Sequence, residues 1–406
     1  MANTDIQITS KHRVTRIELP NSNVSGGIGG TLKLEGFKNL RILKDENSNA
    51  IADIEGWPSS YTFGDDLWWL NTFRFTGSTD GQGNATVLGN AKLGAVTNDG
   101  NKYIANWPPY IIDFTIHSND SKITGEMDQT FPNGFRYLTI IGNNNEITGN
   151  FPNSLPSSFD TVQIRGNKLN FSGNNFLPAT INYGMYNFIV TNESNNQLSS
   201  HESALPNNLD GSIKLRRFNV MNCKLKGALP TQNQGAASQN DERITPSMQD
   251  FKIGGKANNG QYHSGLNNNQ KFPNFKHCRS LNKLNIINLK AGANGPKITS
   301  CTTTVFENCR FFTNATLKLD YNAFTANTVN QILKAVDNAD TVTVSTGRTL
   351  SLKGNYPPFG MTATKTKAEI EAGETTGNDA LDSLILKNWN VLYNTSGQNA
   401  NFNWPT

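Results

Sequence analysis

The sequence is short of both charged and apolar residues. Only 17% of its 406 residues are charged and 36% are hydrophobic, and both shares lie below those of an average globular domain. Small polar residues fill the difference, with 58 Asn and 35 Gly. Because Asn and Gly are poor helix formers, the composition argues against a helical enzyme core and against a coiled coil. The aromatic content of 9% argues against simple disorder.

Several kinds of partner leave no signal in the sequence. The net charge is only +4 and forms no basic block, so we expect no nucleic-acid partner. None of the four cysteines belongs to a CxxC pair, and we interpret all four as small buried residues rather than zinc ligands or disulfides. No apolar run approaches the roughly 18 residues of a membrane span. Segment 1–30 lacks the apolar stretch of a secretory signal, so we expect no export by that route.

Catalytic and metal-binding motifs are also missing. None of the five histidines has a second His or a carboxylate at metal-ligand spacing. The sequence has no GxSxG and no P-loop, and the glycines of 26–30 precede no predicted helix. The adjacent acids Asp65 and Asp66 are interpreted as solvated turn residues. We therefore predict no catalytic residue, no metal site and no cofactor.

A repeat runs along most of the chain. Its unit is apolar-x-apolar-x-x-Asn, followed by an apolar residue and a Gly, as in Leu138, Ile140, Asn143, Ile147 and Gly149. The second apolar residue of each unit is called the anchor. The predicted anchors are Leu19, Ile42, Phe75, Ile116, Ile140, Ile164, Val190, Val220, Ile253, Ile286 and Leu319. Their mean spacing, (319 − 19)/10, is 30 residues, which is a period typical of a solenoid.

Each unit predicts one short parallel strand whose two apolar residues point inward. An Asn after the strand can satisfy the backbone groups of the bend, because its side chain carries both donors and acceptors. We therefore predict a structural Asn ladder, with Cys223 at the equivalent position of its own unit. The ladder residues are Asn119, Asn143, Asn167 and Asn322.

Two segments carry a resemblance. Leu138–Phe159 and Lys214–Pro230 resemble leucine-rich repeats of the L-x-L-x-x-N-x-x-x-G-x-x-P-x-x-L type, although Ile, Val and Phe often replace Leu. The resemblance implies an α/β-solenoid, mainly β, built from stacked short parallel strands. It divides the chain into divergent N-terminal repeats with a loop excursion (1–109), a leucine-rich-repeat solenoid (110–325) and a small α/β C-terminal cap (326–406). Further loops are expected at 77–102, 231–245 and 254–270.

The predicted cap contains two helices and two strands. The first helix would begin at N-cap Asn327 and the second at Asn378 or Asp379, with strands at 341–345 and 389–393. This segment also resembles the C-terminal ends of structural proteins of tailed bacteriophages and of some bacterial surface proteins, although Asn388 stands where those proteins often have Gly. The matching residues are Val329, Ile332, Leu333, Leu384, Ile385, Lys387, Trp389 and Val391.

Two surfaces are candidate binding sites. The residues that flank the anchors are mostly polar and form a candidate binding face for protein or glycan. Its residues are Thr115, His117, Thr139, Gln163, Arg165, Thr191, Asn219 and Lys252. Only one of sixteen flanking positions is acidic, which does not favour the paired carboxylates of a glycosidase. Aromatic residues outside the repeats predict an interface at Trp57, Trp68 and Trp69.

These observations predict a non-enzymatic bacteriophage virion protein on the particle surface. It would serve in capsid decoration, as a head fibre or in tail receptor binding. Its partners would be other virion proteins and a host cell-surface glycan or protein. The alternatives are a bacterial cell-surface leucine-rich-repeat adhesin, a cytosolic interaction scaffold, and a β-helical tailspike polysaccharide depolymerase.

Overall fold

The structure is a computed structural model, and it divides into two compact units. The first unit comprises residues 1–195 with 199–201, and the second comprises 196–198 with 202–406. The boundary falls inside 110–325, so the three-part division by repeat pattern stays a prediction. The described residues are 10–19, 30–46, 51–76, 92–93, 103–104, 106–117, 123–127, 130–143, 145–166, 169, 175–192, 202–206, 209, 214–229, 244–255, 263, 265–290, 295–340 and 346–393.

The described part of the first unit contains short strands and a 3-10 turn at Lys11–Arg13. The strands are β1 (Arg16–Leu19), β2 (Gly30–Lys33), β3 (Ile42–Glu46), β4 (Ile51–Glu55), β5 (Thr72–Thr76), β6 (Lys92–Leu93), β7 (Tyr103–Ile104), β8 (Asp113–His117), β9 (Thr124–Glu126), β10 (Tyr137–Ile141), β11 (Glu146–Thr148), β12 (Thr161–Gly166) and β13 (Asn187–Asn192).

Seven of these strands form one parallel ladder, in the order β1, β3, β5, β8, β10, β12, β13. Strands from segment 1–109 therefore join the same ladder as β8 to β13. The register is constant, so that Ile116, Ile140 and Ile164 lie side by side. Strands β2 with β4, and β11, β9, β6 and β7, form two smaller parallel sheets.

The predicted alternation of buried and outward residues is confirmed on these strands. Ile140 and Ile164 are fully buried, whereas Thr139 and Gln163 between the inward residues are half-buried. One anchor was wrong, because the ladder register pairs Ile42 with Arg16 and Thr72 rather than with the anchors Leu19 and Phe75.

In β3 the residue beside Leu19 and Phe75 in the ladder is Asp45. Asp45 is 1% exposed. An acidic residue in an inward position hides the repeat from a search for apolar periodicity, which explains the misplaced anchor.

A proline-initiated turn precedes several strands. The N–H of Ile111 donates to Pro108 O, that of Phe135 to Pro132 O, and that of Phe159 to Pro156 O, over 3.0 to 3.1 Å. Proline suits the start of such turns because its ring fixes φ. The residue that closes each turn is fully buried, so the turn delivers one more core side chain per repeat.

Aromatic rings fill the core of the first unit. Phe73 and Phe114 stack with ring centroids 4.9 Å apart. Trp57 packs edge-on against Phe73 at 5.3 Å, and Trp107 packs edge-on against Phe114 at 4.9 Å. The two Trp-Pro segments therefore supply core residues.

The Asn ladder of the first unit differs from the prediction. Asn143 is exposed, and Asn145 takes its place with 0% exposure. Its Oδ1 accepts from the backbone N–H of Ile123 at 2.9 Å, and its Nδ2 donates to Arg165 O at 3.1 Å. The chemistry was predicted correctly but the position was two residues too early. Asn119 and Asn167 lie outside the described residues.

The described part of the second unit combines strands with three helices. The elements are β14 (Glu202–Ala204), β15 (Arg217–Met221), β16 (Lys224–Lys226), β17 (Asp250–Gly254), β18 (Gln270–Lys271), β19 (Lys283–Ile287), β20 (Ile298–Ser300), β21 (Thr316–Lys318), α1 (Ala326–Ala339), β22 (Arg348–Ser351), α2 (Lys367–Glu371), α3 (Asp379–Leu386) and β23 (Trp389–Leu392).

Six of these strands form a parallel ladder in the order β15, β17, β19, β21, β22, β23. Strands β14 with β16, and β18 with β20, form smaller sheets. Seven ladder strands in the first unit and six in the second give thirteen, with few helices. The mainly β fold of short parallel strands is therefore confirmed. All four cysteines are buried free thiols.

The predicted ladder residue Asn322 is confirmed in the second unit. It is fully buried. Its Oδ1 accepts from Leu289 N at 2.8 Å, and its Nδ2 donates to Ile286 O at 2.6 Å and Leu319 O at 3.0 Å. In the next turn Asn355 has the same role, because its Oδ1 accepts from Asn322 N at 3.1 Å. Asn355 was not predicted from the sequence.

The helices follow the predicted faces but not every predicted cap. Helix α1 begins after Thr325, whose side chain accepts from Thr328 N, so the assignment of Asn327 as N-cap was wrong. Helix α3 begins after Asn378, which accepts from Leu381 N, as predicted. Short helix α2 was not predicted, the strand expected at 341–345 lies outside the described residues, and β22 follows at Arg348–Ser351.

A buried ionic cluster joins α1, β22 and β23. Arg348 donates two hydrogen bonds of 2.7 Å to Asp340, and both side chains are 0% exposed. The indole N–H of Trp389 donates to the same carboxylate at 2.8 Å, and the guanidinium lies 5.0 Å from the Trp389 ring centroid. Lys387 donates to Asp337 on α1 at 2.8 Å. Lys387 and Trp389, two residues of the C-terminal resemblance, therefore hold the last strand against α1.

The two asparagines at equivalent repeat positions should differ sharply in mutagenesis. Asn322→Ala leaves buried backbone groups without partners, each costing about 1–3 kcal/mol, whereas Asn143→Ala removes an exposed side chain and should stay within about 0.5 kcal/mol. Urea unfolding of both variants measures the difference. Equal losses of stability would refute the ladder role of Asn322.

The Arg348–Asp340 pair should be far more sensitive than a surface pair. Asp340→Ala leaves a buried guanidinium uncompensated and should cost about 3–5 kcal/mol. The matched control is Lys367→Ala, which removes the exposed pair of Lys367 with Glu371 at 3.6 Å and should cost less than about 1 kcal/mol. Thermal unfolding followed by near-UV circular dichroism compares them, and a mild Asp340→Ala effect would show that the cluster is dispensable.

Candidate functional site

The parallel register assembles most of the candidate binding face in the first unit. Thr115, Thr139 and Gln163 lie side by side on β8, β10 and β12. One step further along the strands, a second row contains His117, Ile141, Arg165 and Thr191. Six of the eight predicted residues therefore share one outward surface.

The side chains of this face offer hydrogen-bonding groups at modest exposure. His117 is exposed, while Thr115, Arg165 and Thr191 are half-buried. Thr115 donates from its hydroxyl to Asp113 at 2.7 Å. The face presents hydroxyl, amide, imidazole and guanidinium groups, a set that suits a polar ligand.

Charged residues on β1 to β8 extend the same face, because the register continues its rows onto these strands. These residues were not predicted from the sequence. Glu18 lies 2.6 Å from Arg16 and 3.3 Å from Lys44. The hydrogen bond from Arg16 lowers the pKa of the Glu18 carboxyl. A second group joins Arg74 to Glu46 at 3.4 Å and to Asp113.

Asp113 is three residues before the anchor Ile116 in the sequence. Glu46 is one residue after Asp45, the inward residue that replaces the anchor in β3. Both share the outward parity of the residues that were predicted. A search of every residue that lies an odd number of positions from an inward ladder residue finds both acids.

The two remaining face residues belong to the second unit and are internally paired. Asn219 is 6% exposed and donates to Asp250 at 3.4 Å. Lys252 lies 3.0 Å from the same carboxylate. Because Asn219 is buried against its neighbours, its assignment to a displayed face is corrected.

The predicted tryptophan interface separates into core and surface residues. Trp57 is 7% exposed and its indole N–H donates to Asn106 O at 2.8 Å, so it belongs to the core. Trp68 and Trp69 are half-buried. They join two exposed rings, Phe63 at 79% and Tyr110 at 49% exposure.

These four residues, Phe63, Trp68, Trp69 and Tyr110, are called the aromatic cluster. Trp69 stacks on Tyr110 with centroids 4.8 Å apart, and Phe63 lies edge-on to both Trp68 at 5.8 Å and Trp69 at 6.0 Å. The Trp68 indole N–H has no hydrogen-bond partner in the described part of the chain. A contiguous aromatic surface of this kind is typical of a contact site.

A rigid turn holds the aromatic cluster in place. Asp65 accepts from the backbone and hydroxyl groups of Thr62, each at 2.6 Å, and these bonds lower the pKa of its carboxyl. Asp66 accepts from Gly36 N at 2.8 Å. Leu67 adopts a left-handed φ of 58° and is fully buried. The adjacent acids therefore shape the turn that presents the cluster.

Other possible sites leave few traces. Among the described residues, no group of three or more His, Cys, Asp or Glu side chains could hold a metal ion. No described helix combines the length and apolarity that crossing a membrane requires. The predicted loop 231–245 lies outside the described residues except at its end, and 77–102 is described only at Lys92–Leu93.

Comparison with known proteins adds no assignment. No protein-family model matches the chain, and no curated protein matches it significantly. The leucine-rich-repeat and bacteriophage resemblances therefore remain predictions that rest on the residues quoted above.

The imidazole of His117 should respond to Arg165. Although the residue is exposed overall, partial desolvation of the ring by its neighbours first, and then the charge of Arg165, lower the pKa of His117. Arg165→Gln should raise this pKa toward its ordinary value, whereas Gln163→Ala on the same strand should leave it unchanged. NMR titration of the His117 ring measures both.

The sign of the stability effect follows from this shift. A lowered pKa in the folded state means that protonation favours unfolding, so stability is lost as the pH falls below the ordinary histidine value of about 6.5. Arg165→Gln should reduce that loss. An unchanged His117 titration would contradict the proximity of the two groups.

Proposed function

We propose that this protein acts by contact rather than by catalysis and that the aromatic cluster of the first unit is its principal contact site. The observation that carries the proposal is the aromatic cluster itself, in which the exposed rings of Phe63 and Tyr110 pack on the half-buried rings of Trp68 and Trp69. Exposed aromatic groups are costly to leave in water and supply much of the energy at recognition sites. A partner that covers them gains apolar burial.

The ligand that fits this chemistry best is a host cell-surface glycan. The faces of aromatic rings carry partial negative charge, and the C–H groups of a sugar ring carry partial positive charge, so the two surfaces stack. The Thr and Gln side chains of the candidate binding face can exchange hydrogen bonds with sugar hydroxyls. A protein surface rich in polar groups is the second ligand of this proposal.

The fold proposed is a leucine-rich-repeat-like solenoid with a C-terminal α/β cap. Three features support the repeat: the two inward apolar residues of each strand, the proline-initiated turns before the strands, and the hydrogen-bonded asparagines Asn322 and Asn355 of successive turns. The Lys387 and Trp389 contacts support a distinct C-terminal element, because they fasten β23 to α1.

The setting proposed is the surface of a bacteriophage particle, as capsid decoration, head fibre or tail receptor-binding protein. The C-terminal resemblance supports this setting, and other virion proteins would be further partners. The alternatives remain a bacterial surface adhesin, a cytosolic interaction scaffold and a tailspike depolymerase. Mass spectrometry of purified phage particles and of cell fractions from the source distinguishes a virion protein from a cellular one. The virion proposal requires that the protein be present in the particles at a fixed copy number.

Disrupting the aromatic cluster should weaken ligand binding while leaving the fold intact. Trp69→Ala with Tyr110→Ala should weaken binding to a host polysaccharide about tenfold or more, or ~1.4 kcal/mol. The matched control is Phe359→Ala, which removes a 68% exposed ring in the second unit. A panel of purified surface polysaccharides and biolayer interferometry provide the measurement.

Two results would overturn the proposal. One is unchanged binding by the double variant when its near-UV circular dichroism and melting temperature match those of the unaltered protein. The other is steady release of reducing ends from the polysaccharide, which would favour the depolymerase.

A further inference from the structure

The second unit contains a short motif that occurs twice in consecutive turns. Residues 275–279, FKHCR, recur at 306–310 as FENCR. The rings of Phe275 and Phe306 are fully buried and stack with centroids 5.8 Å apart and an interplanar angle of 21°. The two copies therefore lie one above the other.

The cysteine of each copy fixes the motif to the preceding turn. Cys309 Sγ donates to Phe275 O at 3.0 Å, and Cys278 Sγ donates to Thr245 O at 3.4 Å. Burial raises the pKa of both thiols, so they remain neutral donors. The residue that follows each cysteine, Arg279 in the first copy and Arg310 in the second, therefore occupies an equivalent position in its turn.

The backbone before each cysteine has the same conformation. His277 and Asn308 are both left-handed, with φ of 72° and 61°, and His277 N donates to Glu307 O at 2.8 Å. Hydrogen-bonded parallel turns lie about 5 Å apart. Arg279 and Arg310 therefore leave the backbone side by side.

Neither guanidinium has a hydrogen-bond or ion-pair partner in the part of the chain that the structure describes, and both side chains are exposed. The carboxylate of Glu307, which follows Phe306, pairs instead with Lys276 at 2.6 Å. Two adjacent positive charges repel each other. A bound anion would relieve that repulsion and could accept forked hydrogen bonds from both groups.

The two arginines line a groove of about 400 Å³. Hydroxyl and amide side chains complete its wall: Thr303, Thr304, Asn308 and Asn338. Its volume lies within the range of small-molecule sites. Hydroxyls and amides both donate and accept hydrogen bonds, as sugar hydroxyls do.

We infer that this groove binds an acidic saccharide, whose carboxylate lies against Arg279 and Arg310 and whose hydroxyls contact the Thr and Asn side chains. Glu307 also lines the groove and disfavours a doubly charged phosphate more than a singly charged carboxylate. The site lies in the second unit and is independent of the aromatic cluster proposed above.

The test uses the full chain with D-glucuronate, D-glucose and inorganic phosphate as separate probes in isothermal titration calorimetry. Glucuronate should bind saturably, and the neutral sugar should not. Arg279→Gln with Arg310→Gln should weaken glucuronate binding about tenfold or more. The control, Arg13→Gln with Arg41→Gln, removes two exposed arginines of the first unit and the same net charge, and should bind as the unaltered protein does.

Further readouts separate a sugar site from a bare anion site. Asn338→Ala should weaken glucuronate but not phosphate, and binding should decline with added salt. The inference is overturned if glucuronate does not bind, if glucose binds equally well, if phosphate binds more tightly, or if both double variants behave alike. If the double variant loses its circular dichroism spectrum, the single variant Arg310→Gln replaces it. The outcome leaves the polysaccharide test of Trp69 and Tyr110 unaffected.

Discussion

Hydrogen-bonded stacking of short parallel strands is the constraint on which the rest of this structure depends. A ladder strand of three to six residues has only one to three inward side chains, and it buries them only when a neighbouring turn covers them. In-register pairing therefore aligns equivalent residues of successive turns, such as Ile116, Ile140 and Ile164. The same alignment creates rows on the outside, including Thr115, Thr139 and Gln163. Core and candidate binding face are two consequences of one register.

Closing each turn creates a second requirement, because bent backbone leaves polar groups inside the fold. The structure meets it with side chains that both donate and accept, at Asn145 in the first unit and at Asn322 and Asn355 in the second. Cysteine thiols contribute in the same way where only a carbonyl needs a donor, as Cys309 does at Phe275. These three asparagines have a structural role, and the candidate ligand sites must be sought among residues that the turns do not use.

Two such surfaces stand out in the described residues, and they differ in chemistry. The aromatic cluster in the first unit combines exposed rings with a turn held by Asp65 and Asp66, which suits apolar and stacking contacts. The arginine-lined groove of the second unit presents two guanidinium groups that have no hydrogen-bond or ion-pair partner among the described residues, which suits an anion. The two proposals therefore assign a different ligand chemistry to each unit.

The sequence by itself determined most of the ladder strands, the alternation of inward and outward residues along them, the apolar face of α1 and a helix start at Asn378 or Asp379, because these depend on neighbours within a few positions. It also predicted that Asn residues would satisfy the turns. Only the tertiary structure decided that Asp45 occupies an inward position, that Asn145 rather than Asn143 is the buried amide, and that Trp57 lies in the core while Trp69 stays at the surface. Those outcomes depend on which residue of a distant turn lies alongside, and that pairing is set by the packing of whole turns rather than by local sequence.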